Sequence, residues 1–128
     1  NNIAYNITKQ PNPDLKKAEK MAAKALELDP ESIYILDTYA WILFLLGDNF
    51  LSEFYFDKLL RIEKANGTEP SIETLYHIGC LYLKTNRIEQ AKEIWLKAIN
   101  LYNKNPDSFN EKDTINSIQQ FLNDNENQ

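Results

Sequence analysis

Apolar residues recur along most of the 128-residue chain at intervals of three and four positions, the period of one face of an α-helix. Glycine and proline are scarce and lie between the periodic segments, as in helices joined by short loops. No segment alternates strictly between apolar and polar residues over several positions, so no strand is predicted. The pattern predicts helices at about 1–9, 13–28, 33–46, 50–65, 71–85 and 88–102.

Turn-forming residues mark several helix ends. Asn12 suits the N-cap of the second helix, with Pro13 at its first position, and Pro30 limits the end of that helix. Gly47 is the predicted stop of the third helix. Asn86 is predicted to take the same left-handed conformation after the fifth helix.

One spaced pattern of residues occurs three times. The second and third copies share the same spacing, whereas the first has a longer gap in its middle. The copies are Ile3-Ala4-x2-Ile7 with Ala18-x3-Ala22-x2-Ala25, then Leu36-x2-Tyr39-Ala40-x2-Leu43-x8-Ser52-x3-Phe56-x2-Leu59, then Leu75-x2-Ile78-Gly79-x2-Tyr82-x8-Ala91-x3-Trp95-x2-Ala98. Ala40 and Gly79 are predicted where the two helices of a hairpin come closest. Ser52 and Ala91 face them. Phe56 and Trp95, four residues further on, are predicted to fill the wider gap toward the next repeat.

The spacing between the copies is uneven. It is 34 residues from the first copy to the second and 39 from the second to the third. The five extra residues fall around Glu63 to Pro70, and we interpret them as one more turn of the fourth helix and a longer loop. Either Thr68 or Ser71 then caps the fifth helix.

After residue 102 the pattern changes to that of a closing helix. The sequence Asn-Pro-Asp at 105–107 is predicted to start a helix at about 107–122. One side of this helix is apolar and the other is polar, as the exposed end of a stacked array requires. The apolar residues are Ile115, Ile118, Phe121 and Leu122. Residues 123–128 carry no apolar side chain and are predicted to be disordered.

The three copies, over residues 1–102, resemble the tetratricopeptide repeat family, whose period is 34 residues. The resemblance implies an all-α fold, a right-handed α-solenoid with a C-terminal capping helix, in one domain at 1–122. It implies helical hairpins at about 1–28, 33–65 and 71–102. Ser52, Leu59 and Asn86 depart from the residues usual at their positions in the family, but none of them forbids the fold.

The residue sequence of the segment Leu36–Leu43 resembles that of repeat proteins of Bacteroidetes-type bacteria. The Asn-, Lys- and Ile-rich composition agrees with an AT-rich genome. Relatives of that kind usually carry further repeats upstream, so we expect the C-terminal end of a longer array. Any targeting signal is then expected upstream, and the expected compartment is the cytoplasm or the bacterial cell envelope. Cys80 is the only cysteine, so no intramolecular disulfide is predicted.

The formal net charge of −5 argues against a nucleic-acid partner, because a phosphate backbone needs a clustered basic face. The densest basic group is Lys16, Lys17, Lys20 and Lys24, which we interpret as a solvated helix side. The longest apolar run, Tyr39–Leu46, is far shorter than the roughly 20 residues of a membrane-spanning helix. No membrane insertion is therefore predicted.

In the family, the first helix of each hairpin lines a concave face where partners bind. The resemblance therefore implies a protein or peptide partner in a concave groove. The predicted partner-binding residues are Tyr5, Tyr34, Asp37, Trp41, Phe44, Glu73, Tyr76, His77, Cys80 and Lys84. Trp41 and Phe44 are the expected anchors, because aromatic side chains dominate interface energetics. The alternative is that both rings pack on the neighbouring repeat.

One subtype of the family holds a terminal carboxylate with Lys, Asn and Arg on this face. Asp37 and Trp41 occupy the matching places here, and a carboxylate would repel that ligand. We therefore exclude it for these repeats.

Glu73, His77 and Cys80 are the candidates for chemistry, since their spacing places them on one side of a helix. No second pair of metal ligands is near in sequence, so no metal or other cofactor is predicted. A Cys–His nucleophile also needs an oxyanion site, which the middle of a helix does not offer. We expect no catalytic residue, and interpret these as a groove histidine and a buried thiol.

The predicted function is a non-catalytic interaction scaffold. A purely architectural role, as the end of a longer array without a ligand of its own, is the alternative. An enzyme or metal protein is the least favoured class. The short first hairpin is expected to expose Ile3, Ile7 and parts of Leu15 and Leu26. A monomer, or weak self-association through this end, is therefore predicted.

Overall fold

The computed structural model describes residues 2–106 and 111–126, and the regular secondary structure in these ranges is entirely helical. The helices are α1 (Asn2–Thr8), α2 (Leu15–Leu28), α3 (Ile33–Leu45), α4 (Asn49–Asn66), α5 (Ile72–Lys84), α6 (Ile88–Lys104) and α7 (Lys112–Glu126). The first six pack as the antiparallel pairs α1/α2, α3/α4 and α5/α6. The predicted all-α fold of helical hairpins is confirmed.

The chain divides into two compact units, residues 1–69 and 70–128. The first unit holds α1 to α4, and the second holds α5 to α7. The boundary falls in the stretch where the spacing between the copies is longest. At the end of the first unit, α4 runs to Asn66, and the Thr68 side chain and amide both donate hydrogen bonds to Glu63.

Short polar side chains cap the N-termini of α2, α3, α4 and α5. The Oδ1 of Asp14 accepts a hydrogen bond from the Lys17 amide at 3.1 Å, so α2 is capped by Asp14 and not by Asn12. Pro13 therefore lies before the helix, and the prediction that it opens the helix is wrong. The carboxylate is the stronger choice because it both accepts the amide hydrogen bond and opposes the positive end of the helix dipole. Of the two candidates for α5, Ser71 is the cap.

Three described helices end through a left-handed residue: α4 at Gly67, with φ +69°, and α3 and α5 at the two predicted stops. Gly47 has φ +90° after α3, and Asn86 has φ +67° after α5. In both places the next amide donates back into the helix, from Asp48 to the Leu43 carbonyl and from Arg87 to the Tyr82 carbonyl. Asn86 is thus a non-glycine residue that adopts the αL conformation, which asparagine tolerates better than most residues.

The first hairpin corrects one prediction about exposure. Ala4 and Ile7 are buried with Ala18, Ala22 and Ile42, whereas Ile3 is 64% exposed. The predicted exposure of Ile3 is confirmed, but that of Ile7 is wrong. The reason is that α1 packs on both α2 and α3. Ala4 and Ile7 are three residues apart, so they lie on the same side of α1 and are both buried in this contact.

The core of the second unit is built around Trp95. The indole Nε1 donates to the Tyr76 carbonyl at 3.3 Å, and the ring stacks on Phe121 of α7 with centroids 5.3 Å apart. A Cβ added at Gly79 would lie 2.0 Å from the indole nitrogen, so only glycine leaves room for the ring. Trp95 thus fills the gap toward α7, the helix that follows its hairpin, where the sequence predicts a gap toward the next repeat.

The closing helix is shifted along the chain from its predicted range. Asn105 is the C-cap of α6, α7 begins at Lys112, and residues 107–110 lie outside the described part. Ile115 and Ile118 are buried against the α5/α6 hairpin, as their spacing predicts. The helix continues to Glu126, so residues 123–126 are helical where disorder is predicted, and 127–128 lie outside the described part. Helical i,i+4 pairing supports the extension, since the amide of Gln120 donates to Asp124 at 3.0 Å.

Candidate partner-binding site

The predicted anchors lie on α3 in the first unit. The rings of Trp41 and Phe44 stack on each other, with centroids 5.0 Å apart and planes 21° apart, and both are half-buried. One and two turns earlier, Asp37 is half-buried and Tyr34 is 75% exposed. The spacing of three and four residues places these four on one side of the helix. The anchors therefore contact each other and keep part of their surface accessible.

The other side of α3 fixes its position. Leu36, Ala40 and Leu43 are buried, and the Ser52 hydroxyl of α4 donates to the Ala40 carbonyl at 2.8 Å. Ala40 has no side chain beyond Cβ, so the two helix backbones approach closely. The aromatic side of α3 is thus carried on a rigidly packed helix.

Tyr5 is the predicted contact residue of α1. Its ring is half-buried, and the Nζ of Lys9 lies 4.8 Å from the ring centroid. This distance is that of a cation–π contact. Since α1 packs on α3, Tyr5 belongs to the same unit as the anchors, and a positive charge lies over its ring.

In the second unit, the predicted residues of α5 are less accessible. The side chains of Tyr76 and Cys80 are hydrogen-bonded to each other, one turn apart. Burial raises the pKa of the Cys80 thiol to about 12, and burial also raises the pKa of Tyr76 above its ordinary value. Cys80 is therefore a protonated, unreactive thiol at neutral pH, as its interpretation as a buried thiol predicts. Lys84 is exposed at the end of the helix.

His77 is predicted to contact a partner, but its side chain is only 1% exposed and cannot do so in this state. It shares a stripe with Thr74 and Leu81, which are three and four residues away and also buried. Its Nε2 lies 3.3 Å from Oε1 of Glu73. The other oxygen of that carboxylate accepts a hydrogen bond from the Thr114 hydroxyl at 3.0 Å. Glu73 is therefore already engaged by α7.

A second carboxylate approaches this cluster. Burial raises the pKa of Glu111, and the negative charge of Glu73 raises it further. The Oε2 of Glu111 is shielded from solvent and has no hydrogen-bond partner among the described atoms. Thr114 and Glu111 reach Glu73 from about 40 positions away in the sequence, so no local pattern marks them.

Chemical sites are not evident in the part of the chain that the structure describes. In that part, no group of three His, Cys, Asp or Glu side chains is arranged to hold a metal ion. A shallow cleft of about 270 Å³ lies on the α5/α6 hairpin, and none of the predicted contact residues line it. Its lining residues are Tyr82, Gln90, Glu93, Ile94 and Lys97. Over the same ranges, no helix combines the length and apolar character needed to cross a bilayer.

The paired helices and their repeated register define the class, an α-helical repeat protein. Residues 72–105 match the model of the tetratricopeptide repeat family, so α5 and α6 form a tetratricopeptide repeat. Such repeats are generally protein–protein interaction modules and are typically non-catalytic. No curated protein matches the chain significantly.

Proposed function

We propose that this protein is a non-catalytic scaffold that binds a peptide or a helical segment of another protein on the inner helices of its hairpins. In this proposal residues 1–122 form one domain of three tetratricopeptide repeats, wound as a right-handed solenoid. The stacked pair Trp41 and Phe44 carries the proposal. Large aromatic rings that keep exposed surface on a rigid helix are typical anchors of protein interfaces.

The binding surface is centred on the first unit. Trp41 and Phe44 provide apolar area, Tyr34 extends it along α3, and Tyr5 extends it to α1. Asp37 is the one charged residue of α3, so it can fix the orientation of a bound segment. In the second unit, Tyr76, Cys80 and Lys84 remain candidate contacts, whereas Glu73 is hydrogen-bonded to α7 and His77 is buried.

The proposal is tested by comparing Trp41 variants in a pull-down from the source organism. Trp41→Ala should lose the captured partner, and Trp41→Phe should retain it because a ring remains to stack on Phe44. Leu28→Ala, at an exposed position outside this surface, is the control. Circular dichroism must show unchanged helicity for all variants. A partner held equally well by Trp41→Ala would contradict the proposal.

An architectural role is the second candidate, and the packing of α7 favours it. Ile115 and Ile118 of α7 are buried on the last hairpin, as expected of a segment that closes an array. If no partner depends on Trp41, this role is favoured instead. The exposed Ile3 remains a candidate for weak self-association, and a bacterial, Bacteroidetes-type origin stays a prediction from the sequence.

A further inference from the structure

Four exposed apolar side chains lie together along the chain at one end of the α3/α4 hairpin. Phe50 is 80% exposed and Phe54 is 52% exposed, while Leu45 and Leu51 are also exposed. We call these four residues the outer strip. Phe50 and Phe54 are one helical turn apart, so their rings share a side of α4. The outer strip contains none of the residues of the proposed partner-binding surface on α1 and α3.

The other two copies of the repeat show that the packing of a hairpin does not require apolar residues at the positions of the outer strip. Positions are matched through the small residues of each helix, Ala4, Ala40 and Gly79 in the first and Ala18, Ser52 and Ala91 in the second. The residues equivalent to the outer strip are Lys9, Lys16, Lys17 and Lys20 in the first copy, and Lys84, Glu89, Gln90 and Glu93 in the third. All eight are exposed and polar. The middle copy alone places apolar side chains at these solvated positions.

Exposing these apolar side chains to water is unfavourable, and contacts within the chain do not compensate for it. Burying a phenylalanine side chain stabilises the folded state by about 1.5–3 kcal/mol. Because Phe50 is 80% exposed, it contributes little of this free energy. Phe54 makes an edge contact with Tyr55, with ring centroids 5.1 Å apart, but half of it stays in water. Contiguous exposed apolar groups of this kind mark interaction sites.

The size of the outer strip limits what can bind it. A fully buried aromatic side chain covers about 150–250 Å². The exposed parts of two phenylalanines and two leucines therefore offer a few hundred Å². A stable complex buries roughly 800 Å² per partner, so two copies of the chain cannot associate stably through this surface alone. A short segment anchored by two side chains fits the available area.

The charges of the same unit indicate the chemistry of that segment. Lys16, Lys17 and Lys20 occupy, in the neighbouring hairpin, the register of Phe50, Leu51 and Phe54. Equivalent positions of stacked repeats face the same side of the array. The charged residues nearest to Phe50 and Phe54 in the chain are Asp48, Glu53 and Asp57, so a partner meets the ammonium groups only where it extends from the apolar group toward α2. Complementary carboxylates would steer and orient it.

We propose that the outer strip is a docking site for a short amphipathic helix that carries two apolar residues one turn apart and an excess of acidic residues. The apolar pair covers Phe50 and Phe54. The acidic side chains contact the lysines of α2. This surface is independent of the one on α1 and α3, so either can fail without the other.

The test is selection of helix-forming peptides from a displayed random library on the intact chain. Selected peptides should carry an i,i+4 apolar pair and acidic flanks. Their affinity should fall about tenfold or more for the Phe50→Glu/Phe54→Glu double variant. Lys16→Glu/Lys20→Glu should weaken acidic peptides and not their amide counterparts. Leu96→Glu, an equally exposed apolar site on α6, is the matched control and should bind as the parent does.

Circular dichroism must show that each variant keeps the parental helix content. Peptides that bind the double variant as well as the parent, or that are enriched in basic residues, would overturn the proposal. Two other measurements can overturn it in favour of a different occupant. A dimer in sedimentation that the double variant abolishes would assign the outer strip to a second copy. Flotation with neutral phosphatidylcholine vesicles, lost in the double variant, would assign it to a lipid surface.

Discussion

The hydroxyl of Ser52 donates a hydrogen bond to the carbonyl of Ala40 at 2.8 Å, across the closest approach of α3 and α4. The family commonly has alanine at the place of Ser52, so the hydroxyl adds an interhelical bond in a buried contact. Ser52→Ala should cost only about 1 kcal/mol, because the carbonyl keeps its intrahelical partner. Ser52→Leu should cost about 3 kcal/mol, because it forces the helices apart. Urea unfolding followed by circular dichroism measures both, and equal costs for the two variants would contradict the packing argument.

Gly79 leaves the space that the Trp95 indole fills. Gly79→Ala should destabilise the second unit by about 2 kcal/mol or more, even though alanine raises helix propensity by about 1 kcal/mol. The double variant Gly79→Ala/Trp95→Phe should recover part of the loss, because a smaller ring clears the new methyl group. Thermal unfolding of the two single variants and the double variant gives the coupling. Strict additivity would show that the clash with the indole is not the cause.

Glu111 should make the stability of the second unit depend on pH. Its pKa in the folded chain is raised above the ordinary 4.5, first by burial and then by Glu73, so folding favours its protonated form. The stabilisation is therefore present at low pH and is lost as pH rises through the raised pKa. Glu111→Gln should raise the melting temperature at pH 7 relative to the parent, and the difference should shrink toward pH 4.

The comparison of parent and variant measures the effect of the Glu111 carboxylate on stability, which includes its electrostatic interaction with Glu73. Asp124→Asn, which removes an exposed carboxylate from α7, is the control for the loss of one negative charge. A parent and Glu111→Gln pair with the same difference in melting temperature at every pH would contradict the prediction.

Cys80 should react slowly with thiol reagents. Burial raises its pKa to about 12, and only the thiolate is the nucleophile. At pH 8 the native chain should react with a disulfide reagent at least about tenfold more slowly than the chain unfolded in urea. Absorbance of the released thiolate measures the rate. Equal rates in the native and unfolded chains would show that the thiol is accessible and ionised.

Local features of the sequence predicted local features of the fold well. The left-handed stops at Gly47 and Asn86, the longer connection after Glu63 and the gap filled by Trp95 follow from turn chemistry, spacing and side-chain size. The errors arose where two local choices were nearly equal. Asn12 and Asp14 are both good caps, and the carboxylate is better placed to accept the Lys17 amide.

The candidate site was predicted only in part. Periodicity placed Tyr34, Trp41 and Phe44 on one side of α3, but it could not show that two of them stack on each other. It assigned His77 to the groove side of α5, whereas the structure buries its side chain next to Glu73. A helix has neighbours on several sides, and periodicity does not tell which sides they cover.

The sequence by itself determined the helical hairpins, the left-handed stops at Gly47 and Asn86 and the small residues at the helix crossings, because each depends on residues within one or two turns of each other. Tertiary structure alone decided the engagement of Glu73 by Thr114, the raised pKa of Glu111 and the burial of His77. The first two depend on where α7 packs on α5, and the groups involved lie about 40 positions apart in the chain. Solvent exclusion and charge proximity act through space, so no spacing of residues records them.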